Sequence, residues 1–114
     1  MKKILVLILF AFLSNTAFAY TECTFNKVDY VFLKAANGGT DDVYIRLVKP
    51  TGDFAVIYKN NNTLSQTQIN RIYTAALTAF TAGKKLTVRY PEDNLDCSTL
   101  SAARNDFIGI TIRD

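Results

Sequence analysis

Hydrophobic and polar positions alternate with a period of two through several short segments of the chain. The clearest are residues 42–49, DVYIRLVK, and residues 54–59, FAVIYK. Such alternation is typical of β-strands that bury one face. Between them, residues 50–53 supply the fixed φ of a proline and the conformational freedom of a glycine, so the two strands are predicted to form a hairpin.

Three further segments have strand-like patterns. They are residues 24–36, 85–90 and 107–113. In the first, Val28, Tyr30 and Phe32 are predicted to share one face, and an Asn-Gly-Gly sequence at residues 37–39 ends the strand. Pro91 ends the predicted strand at residues 85–90, because proline has no amide hydrogen to donate to a neighbouring strand.

One segment has the period of a helix instead. Ser65 with Gln68 three residues later fits a capping box, Thr63 is a competing N-cap, and Gly83 provides the C-terminal stop. The apolar residues at helical spacing are Ile69, Ile72, Tyr73, Ala76, Leu77 and Phe80. We expect Phe80 to lie in the core, and the threonine-rich side of residues 70–81 to face solvent or a partner.

The resulting order, β-β-β-α-β-β, predicts a mainly β protein with one helix. Five strands with the helix between the third and fourth is the order of the OB-fold, so we expect a small OB-fold-like five-stranded barrel. Closing the sheet would leave no long free edge.

The amino-terminal residues have the character of a targeting segment. Lys2 and Lys3 precede a short apolar run, and small residues follow, so residues 1–19 are predicted to be a signal peptide and residues 20–114 one OB-fold-like domain. A retained membrane anchor is the alternative, but the apolar run is too short to span a bilayer as a helix. The protein is therefore expected to be secreted or periplasmic, without membrane insertion.

The remaining chain is close to neutral and has two cysteines. Residues 20–114 carry 11 basic and 10 acidic residues, a formal net charge of +1, which gives no general attraction to nucleic acid. Cys23 and Cys97 are predicted to form a disulfide, since the expected compartment permits it. Antiparallel first and fourth strands of the barrel would also bring these two cysteines near each other.

Few residues suggest catalysis or metal binding. The sequence has no histidine, the commonest general base and zinc ligand. Its carboxylates cluster in predicted turns, at Asp41 with Asp42 and at Glu92, Asp93 and Asp96. The second cluster lacks the glycine and the distal glutamate of an EF-hand. We therefore predict no catalytic residues, no metal, no cofactor and no enzyme activity.

Some tyrosines are predicted at or near the surface of their elements, namely Tyr44, Tyr58 and Tyr73. Aromatic faces on such a barrel can stack against bases or sugar rings. The scattered lysines and arginines argue against nucleic acid as a partner.

The phrase IYTAALTAFTAGKKLTVRY, followed by a cysteine and a final apolar strand, resembles the B subunits of AB5 toxins of the subtilase cytotoxin and typhoid toxin type. The resemblance covers roughly residues 65–112. It implies a secreted pentamer that binds cell-surface glycans and carries a catalytic A subunit, with the helices lining a central pore and strand edges pairing between neighbours. The family's sugar pocket has a small hydroxyl residue near the start of the first strand. In this chain Thr24 and Asn26 occupy that region, and the serine expected there is absent. The residues predicted to bind carbohydrate are Thr24, Asn26 and Lys27.

The leading hypothesis is therefore a non-enzymatic, glycan-binding, homo-oligomeric component of an AB5-type assembly. The alternative is a solitary secreted or periplasmic OB-fold domain that binds a protein or a small ligand. An enzyme or an enzyme inhibitor is the third interpretation, and the missing histidine argues against an enzyme.

Overall fold

The computed structural model describes residues 19–35, 42–60 and 64–114. Residues 1–18 of the predicted signal peptide, the turn at residues 37–39, Asp41 and the alternative N-cap Thr63 lie outside these described residues. Within them, the chain is mainly β with one long helix, as predicted, and its strands form two three-stranded antiparallel sheets.

The described chain contains six strands rather than the predicted five. They are β1 Thr21–Phe25, β2 Lys27–Lys34, β3 Asp42–Val48, β4 Phe54–Lys59, β5 Lys85–Tyr90 and β6 Gly109–Arg113. Helix α1 spans Gln66–Ala82, and a short 3₁₀ turn spans Cys97–Thr99. The extra strand arises because the chain bends at Asn26 and divides the predicted first strand in two.

The two sheets share this bend but do not merge. One sheet has the order β1-β5-β6 and the other β2-β3-β4, so the divided first strand contributes to both. The Asn26 amide donates to the carbonyl oxygen of Val48 at 2.8 Å. On the far side, Ile57 and Arg104 form an isolated parallel bridge. The described sheets are not closed into a barrel, so the OB-fold barrel stays a prediction.

A register shift in β2 corrects the predicted face of that strand. Val28 lies opposite Leu47. Tyr30 then lies opposite Arg46, which leaves Asp29 as an extra residue in β2. Such a bulge reverses which side chains face the core. As a result Val28 is 4% exposed and Tyr30 43% exposed, and the two do not share a face.

The β3–β4 hairpin forms as the alternation predicts. Its turn closes with the Lys49 amide donating to the Asp53 carbonyl oxygen at 2.7 Å. Gly52 has a φ of 94°, a value that glycine adopts without steric cost. Val43, Ile45 and Leu47 of the hairpin point into the core, so every second residue on it points outward.

The ends of α1 follow the predicted signals. The Gln68 amide donates to the Ser65 hydroxyl at 3.2 Å, and the Ser65 amide donates to Gln68 Oε1 at 3.0 Å. These two bonds complete the predicted capping box. Gly83 ends the helix with a left-handed φ of 65°.

The expectation that Phe80 lies in the core is wrong, since 47% of it is exposed. The buried residues of α1 are Ile69, Ala76 and Ala79. Alanine lets the helix backbone approach the sheets closely, and Phe80 is rotated by about 100° from Ala79 around the helix axis. Its ring is therefore turned away from the core.

Both sheets and α1 contribute to one hydrophobic core. Its largest fully buried side chains are Tyr90, Phe25, Ile45, Leu47, Ile57, Ile69, Leu86, Val43, Val88 and Cys23. Among the described helices, none is both long and apolar enough to cross a membrane.

The predicted disulfide is present and anchors the long segment between β5 and β6. The sulfur atoms of Cys23 and Cys97 are bonded at 2.01 Å, with their Cα atoms 5.5 Å apart. Lys49, only 4% exposed, donates from Nζ to the Ser98 carbonyl oxygen at 3.0 Å, next to the disulfide. Leu100 and Phe107 of the same segment are buried in the core. The segment is thus attached covalently, by a hydrogen bond and by packing.

Candidate functional site

The outer surface of the β2-β3-β4 sheet carries a continuous group of aromatic side chains. We call this surface the aromatic face; it consists of Tyr30, Phe32, Tyr44, Arg46, Phe54 and Tyr58. These residues share one side because strand pairing places them opposite or diagonal to one another. The strands bury their other side, so the outward side is free to carry polar or aromatic groups.

One row of rings crosses all three strands. Phe32 lies opposite Tyr44, and Tyr44 lies opposite Tyr58. The centroids of Phe32 and Tyr44 are 6.2 Å apart with the rings tilted by 45°. Those of Tyr44 and Tyr58 are 5.3 Å apart with nearly parallel planes. Phe32 is 54% exposed, so the row presents ring surface to solvent.

Arg46 occupies the next row and is held on several sides. Its Nε donates to Asp29 Oδ2 at 2.8 Å. Its guanidinium carbon lies 4.0 Å from the ring centroid of Phe54 and 5.2 Å from that of Tyr30. Cation–π contacts and the ion pair together fix the guanidinium plane. Asp29, the extra residue in β2, provides the carboxylate that pairs with Arg46.

A shallow depression of about 340 Å³ lies at one end of the aromatic face, lined by Tyr30, Phe32, Lys34 and Tyr44. Its walls combine exposed rings with one lysine.

The predicted sugar-site residues lie at different places. Lys27 lies opposite Val48, which in turn lies opposite Phe54, so Lys27 shares a row with the aromatic face. Asn26 is at the bend between the sheets and is exposed. Thr24 belongs to the other sheet, where its hydroxyl is 2.8 Å from that of Thr87. The structure therefore places Lys27 next to the aromatic face, with Thr24 in the other sheet.

Residues with perturbed pKa values lie away from the aromatic face. The Asp106 carboxyl pairs with Arg104, whose hydrogen bonds hold the pKa of that carboxyl below its ordinary value. Burial raises the pKa of Tyr90 to about 12. Asp96 accepts from the Ser98 hydroxyl at 2.7 Å and from the Ser98 amide at 3.0 Å, and these bonds lower its pKa. Each of these groups is engaged in a structural contact.

Two carboxylates of the predicted acidic cluster are engaged by neighbouring residues of the protein. Among the described residues, no group of three or more histidine, cysteine, aspartate or glutamate side chains is arranged to hold a metal ion. Asp96 caps the 3₁₀ turn, and Glu92 contacts Arg104 at 3.4 Å.

Sequence reasoning found part of the aromatic face. The alternation of β3 and β4 places Tyr44 and Tyr58 outward, and both were predicted near the surface. Tyr30 was assigned to the same face as Val28, because a regular period of two has no place for a bulge.

No protein-family model matches this chain, and no curated protein matches it in sequence.

Proposed function

We propose that this protein is a secreted, non-enzymatic carbohydrate-binding protein whose aromatic face stacks against sugar rings. The observation that carries the proposal is the row of Phe32, Tyr44 and Tyr58 across one sheet, with Phe32 54% exposed. Exposed aromatic rings provide large and rigid contact area with a polar end on each tyrosine. A pyranose ring has an apolar C–H face that fits such a surface and hydroxyls that need hydrogen-bond partners at its edge.

Polar groups for those hydroxyls surround the rings. Lys34 lines the depression beside Phe32, and Lys27 lies in the row of Phe54 at the other end. Arg46 is already fixed by Asp29 and two rings, so its free N–H groups are oriented before a ligand arrives. Fixed donors bind with less loss of side-chain entropy than flexible ones.

A sugar fits these groups better than a nucleic acid does. Single-stranded nucleic acid is bound by a basic groove that follows the phosphates. Here the central cation, Arg46, is neutralised by Asp29. The chain beyond residue 19 has a formal net charge of only +1.

We further propose that the two sheets belong to an OB-fold-like barrel in an AB5-type assembly. Support comes from the element order, from a first strand that contributes to both sheets, and from the parallel bridge between Ile57 and Arg104. The helix-to-strand phrase that resembles toxin B subunits lies in α1 and β5. In this proposal the binding partners are a cell-surface glycan and a catalytic A subunit.

The exposed side of α1 supports assembly into a homo-oligomer, for which a pentamer is the proposed form. No charged residue occurs from position 72 to position 83, and Leu77 and Phe80 are 40% and 47% exposed. The hydroxyl of Thr78 donates to the carbonyl oxygen of Thr74, and that of Thr81 to the carbonyl oxygen of Leu77, each at 2.8 Å. These threonines satisfy their hydroxyls within the helix, so the side is suited to packing against another helix.

The experiment begins with the full chain expressed in a bacterial host and collected from the periplasm or the medium. Mass spectrometry should find Tyr20 at the amino terminus, which tests the leader and the location together. Light scattering after size exclusion gives the assembly state, and a glycan array gives the ligand class. Saturable glycan binding that persists in a chelator supports the proposal.

Three results would count against all or part of it. Binding of no glycan by correctly folded protein would remove the carbohydrate function. A monomer that binds a protein or small ligand but no sugar would favour the solitary-domain alternative. A monomer that binds glycans would retain the aromatic face as the site and remove the AB5-type assembly.

A further inference from the structure

A second concave surface lies between the helix and the last strand. It is a groove of about 430 Å³ between α1 and the start of β6. Apolar side chains provide most of its wall, among them Leu64, Ile72, Ile108 and Ile110. Lys59 and Arg71 also line it, and none of the described residues in its lining is acidic. We call this surface the α1–β6 groove.

The strand that borders the groove has an unpaired edge. In the described part of the chain, β6 has only β5 as a sheet neighbour. Ile108, directly before β6, is 62% exposed, and Ile112 within it is 38% exposed. An edge strand with free backbone groups and exposed apolar side chains is a template for another extended segment.

Lys59 is a partly buried cation without a carboxylate within ion-pair distance among the described residues. Its ammonium donates to the carbonyl oxygen of Asn105 and lies 4.6 Å from the ring centroid of Phe107. The carboxylate that interacts electrostatically with Lys59 is that of Asp106, which is itself bound by Arg104 at 2.6 Å. Burial lowers the pKa of Lys59 below its ordinary value.

Arg71 adds a second positive charge on the helix side of the groove. It is exposed and forms no ion pair with any carboxylate in residues 19–35, 42–60 and 64–114. The groove therefore combines an apolar floor, a free strand edge and two cations. Its chemistry is complementary to an extended segment that carries both apolar and acidic side chains.

We propose that the α1–β6 groove binds an extended acidic peptide segment of another protein, which adds as a strand to the free edge of β6. Its apolar side chains pack on Ile108 and Ile110, and an acidic side chain is directed toward Lys59 and Arg71. This interaction is separate from sugar binding, since it shares no residue with the aromatic face.

A second copy of this chain is a poorer fit to the groove, so we assign any strand pairing between subunits to the other edges, β1, β2 and β4. The described edge strands of both sheets are β1, β2, β4 and β6, and their acidic residues are Glu22 and Asp29. Glu22 accepts from Arg89 at 2.7 Å, and Asp29 pairs with Arg46 at 2.8 Å. Neither carboxylate is free to meet Lys59 and Arg71 without losing its own partner.

The test uses fluorescein-labelled seven-residue peptides and the disulfide-bonded protein, with binding measured by fluorescence anisotropy. The probe is acetyl-Thr-Val-Thr-Glu-Thr-Val-Thr-amide, in which both valines and the glutamate share one face of the extended peptide. The matched peptide has lysine in place of the glutamate. We expect the acidic probe to bind about tenfold more tightly or better, because two cations face it and the carboxylate of Asp106 is already paired with Arg104. Equal affinity of the two peptides would overturn the proposal.

Protein variants then locate the site. Arg71→Glu should weaken binding of the acidic probe about fivefold or more, and Arg71→Gln by a smaller factor. Lys85→Glu makes the same charge change at an exposed lysine at the start of β5, outside the groove lining, and should leave affinity within about twofold. Circular dichroism checks that each variant is folded. Equal losses of affinity from Arg71→Glu and Lys85→Glu would show a general charge effect and would reject the groove as the binding site.

Strand addition has its own control. Two versions of the acidic probe carry N-methyl groups on the backbone, one version at the odd-numbered residues and the other at the even-numbered residues. Each version therefore loses the N–H donors along only one edge of the extended peptide. If the peptide pairs with β6, one version should bind like the parent and the other about tenfold more weakly. Equal binding of both versions would overturn the proposal. So would the finding that the protein associates with itself through Ile108 and thereby displaces the probe.

Discussion

Tyr44 and Tyr58 stack across β3 and β4, with ring centroids 5.3 Å apart and planes inclined by 13°. This stacking makes Tyr44 the centre of the ring row, since Phe32 contacts it from the other strand. A side chain between two rings holds both in place. Its removal should therefore affect ligand binding more than the loss of one isolated ring.

We expect Tyr44→Ala to weaken glycan binding about tenfold, equivalent to about 1.4 kcal/mol, since an aromatic contact contributes energy of this order. Titration calorimetry with the best glycan from the array measures it. Tyr20→Ala is the matched control, because Tyr20 is a 37% exposed tyrosine that contacts Arg89 in the other sheet. If both variants bind as the wild type does, the aromatic face is not the sugar site.

The two sides of α1 should differ sharply in their contribution to stability. Ile69 is 0% exposed, so Ile69→Ala should lower the free energy of unfolding by about 2 to 5 kcal/mol. Phe80 is 47% exposed, so Phe80→Ala should cost less than about 1 kcal/mol in a monomer. Urea denaturation monitored by circular dichroism gives both values.

The same pair of variants also reports on assembly. If the exposed side of α1 packs against other subunits, Phe80→Ala should shift light scattering toward smaller species at equal protein concentration. A large loss of stability for Phe80→Ala in a protein shown to be monomeric would contradict the placement of its ring.

The disulfide should supply a large part of the stability of this small domain. Cys23 and Cys97 are 74 residues apart, and closing a loop of this length stabilises by about 4 kcal/mol in the chain-entropy model. The double variant Cys23→Ser, Cys97→Ser should therefore unfold at much lower urea concentration. Wild-type protein unfolded by urea in the presence of a reductant provides the comparison. If reduced wild type and the double variant unfold at the same urea concentration, the loss of stability comes from the missing bond rather than from the serine side chains.

Alkaline pH should destabilise the fold through Tyr90. Burial raises the pKa of this phenol from the ordinary 10.0 to about 12, so the unfolded chain releases the proton first. The stabilisation is complete below pH 10 and is lost as the pH rises toward 12. The loss attributable to Tyr90 should reach about 3 kcal/mol, since one pKa unit corresponds to about 1.4 kcal/mol.

Tyr90→Phe isolates this contribution, because it keeps the buried ring and removes the ionising group. The difference in unfolding free energy between wild type and variant should be constant below pH 9 and change between pH 10 and 12. Absorbance at 295 nm measures tyrosine ionisation directly. The variant should lack the ionisation that wild-type protein shows near pH 12. A wild-type protein whose tyrosines all titrate near 10 would contradict the burial argument.

Local elements followed closely from local sequence. The hairpin of β3 and β4 is encoded by period-two alternation and a proline-glycine turn, and α1 by its capping box and Gly83. These signals depend on bonds between residues close in sequence, so they need no knowledge of the remaining chain. The disulfide was also predictable, because only two cysteines are present.

Placement of side chains relative to the core was less predictable. Periodicity assigned Phe80 to the buried side of α1, but the contact with the sheets is centred on Ala76 and Ala79, which pack closely. The extra residue at Asp29 similarly turned Tyr30 outward. Both outcomes depend on which surface each element meets, and that is a property of the assembled sheets.

Local and compositional signals were sufficient to predict the mainly β composition, the single capped helix, the hairpin and the disulfide. The remaining features depend on contacts between distant parts of the chain. Tertiary structure divided the first strand between two sheets, turned Phe80 to the surface, and aligned Phe32, Tyr44 and Tyr58 in one row. The physical reason is that strand register and helix packing bring together residues far apart in the chain, and a one-residue bulge reverses every side chain that follows it.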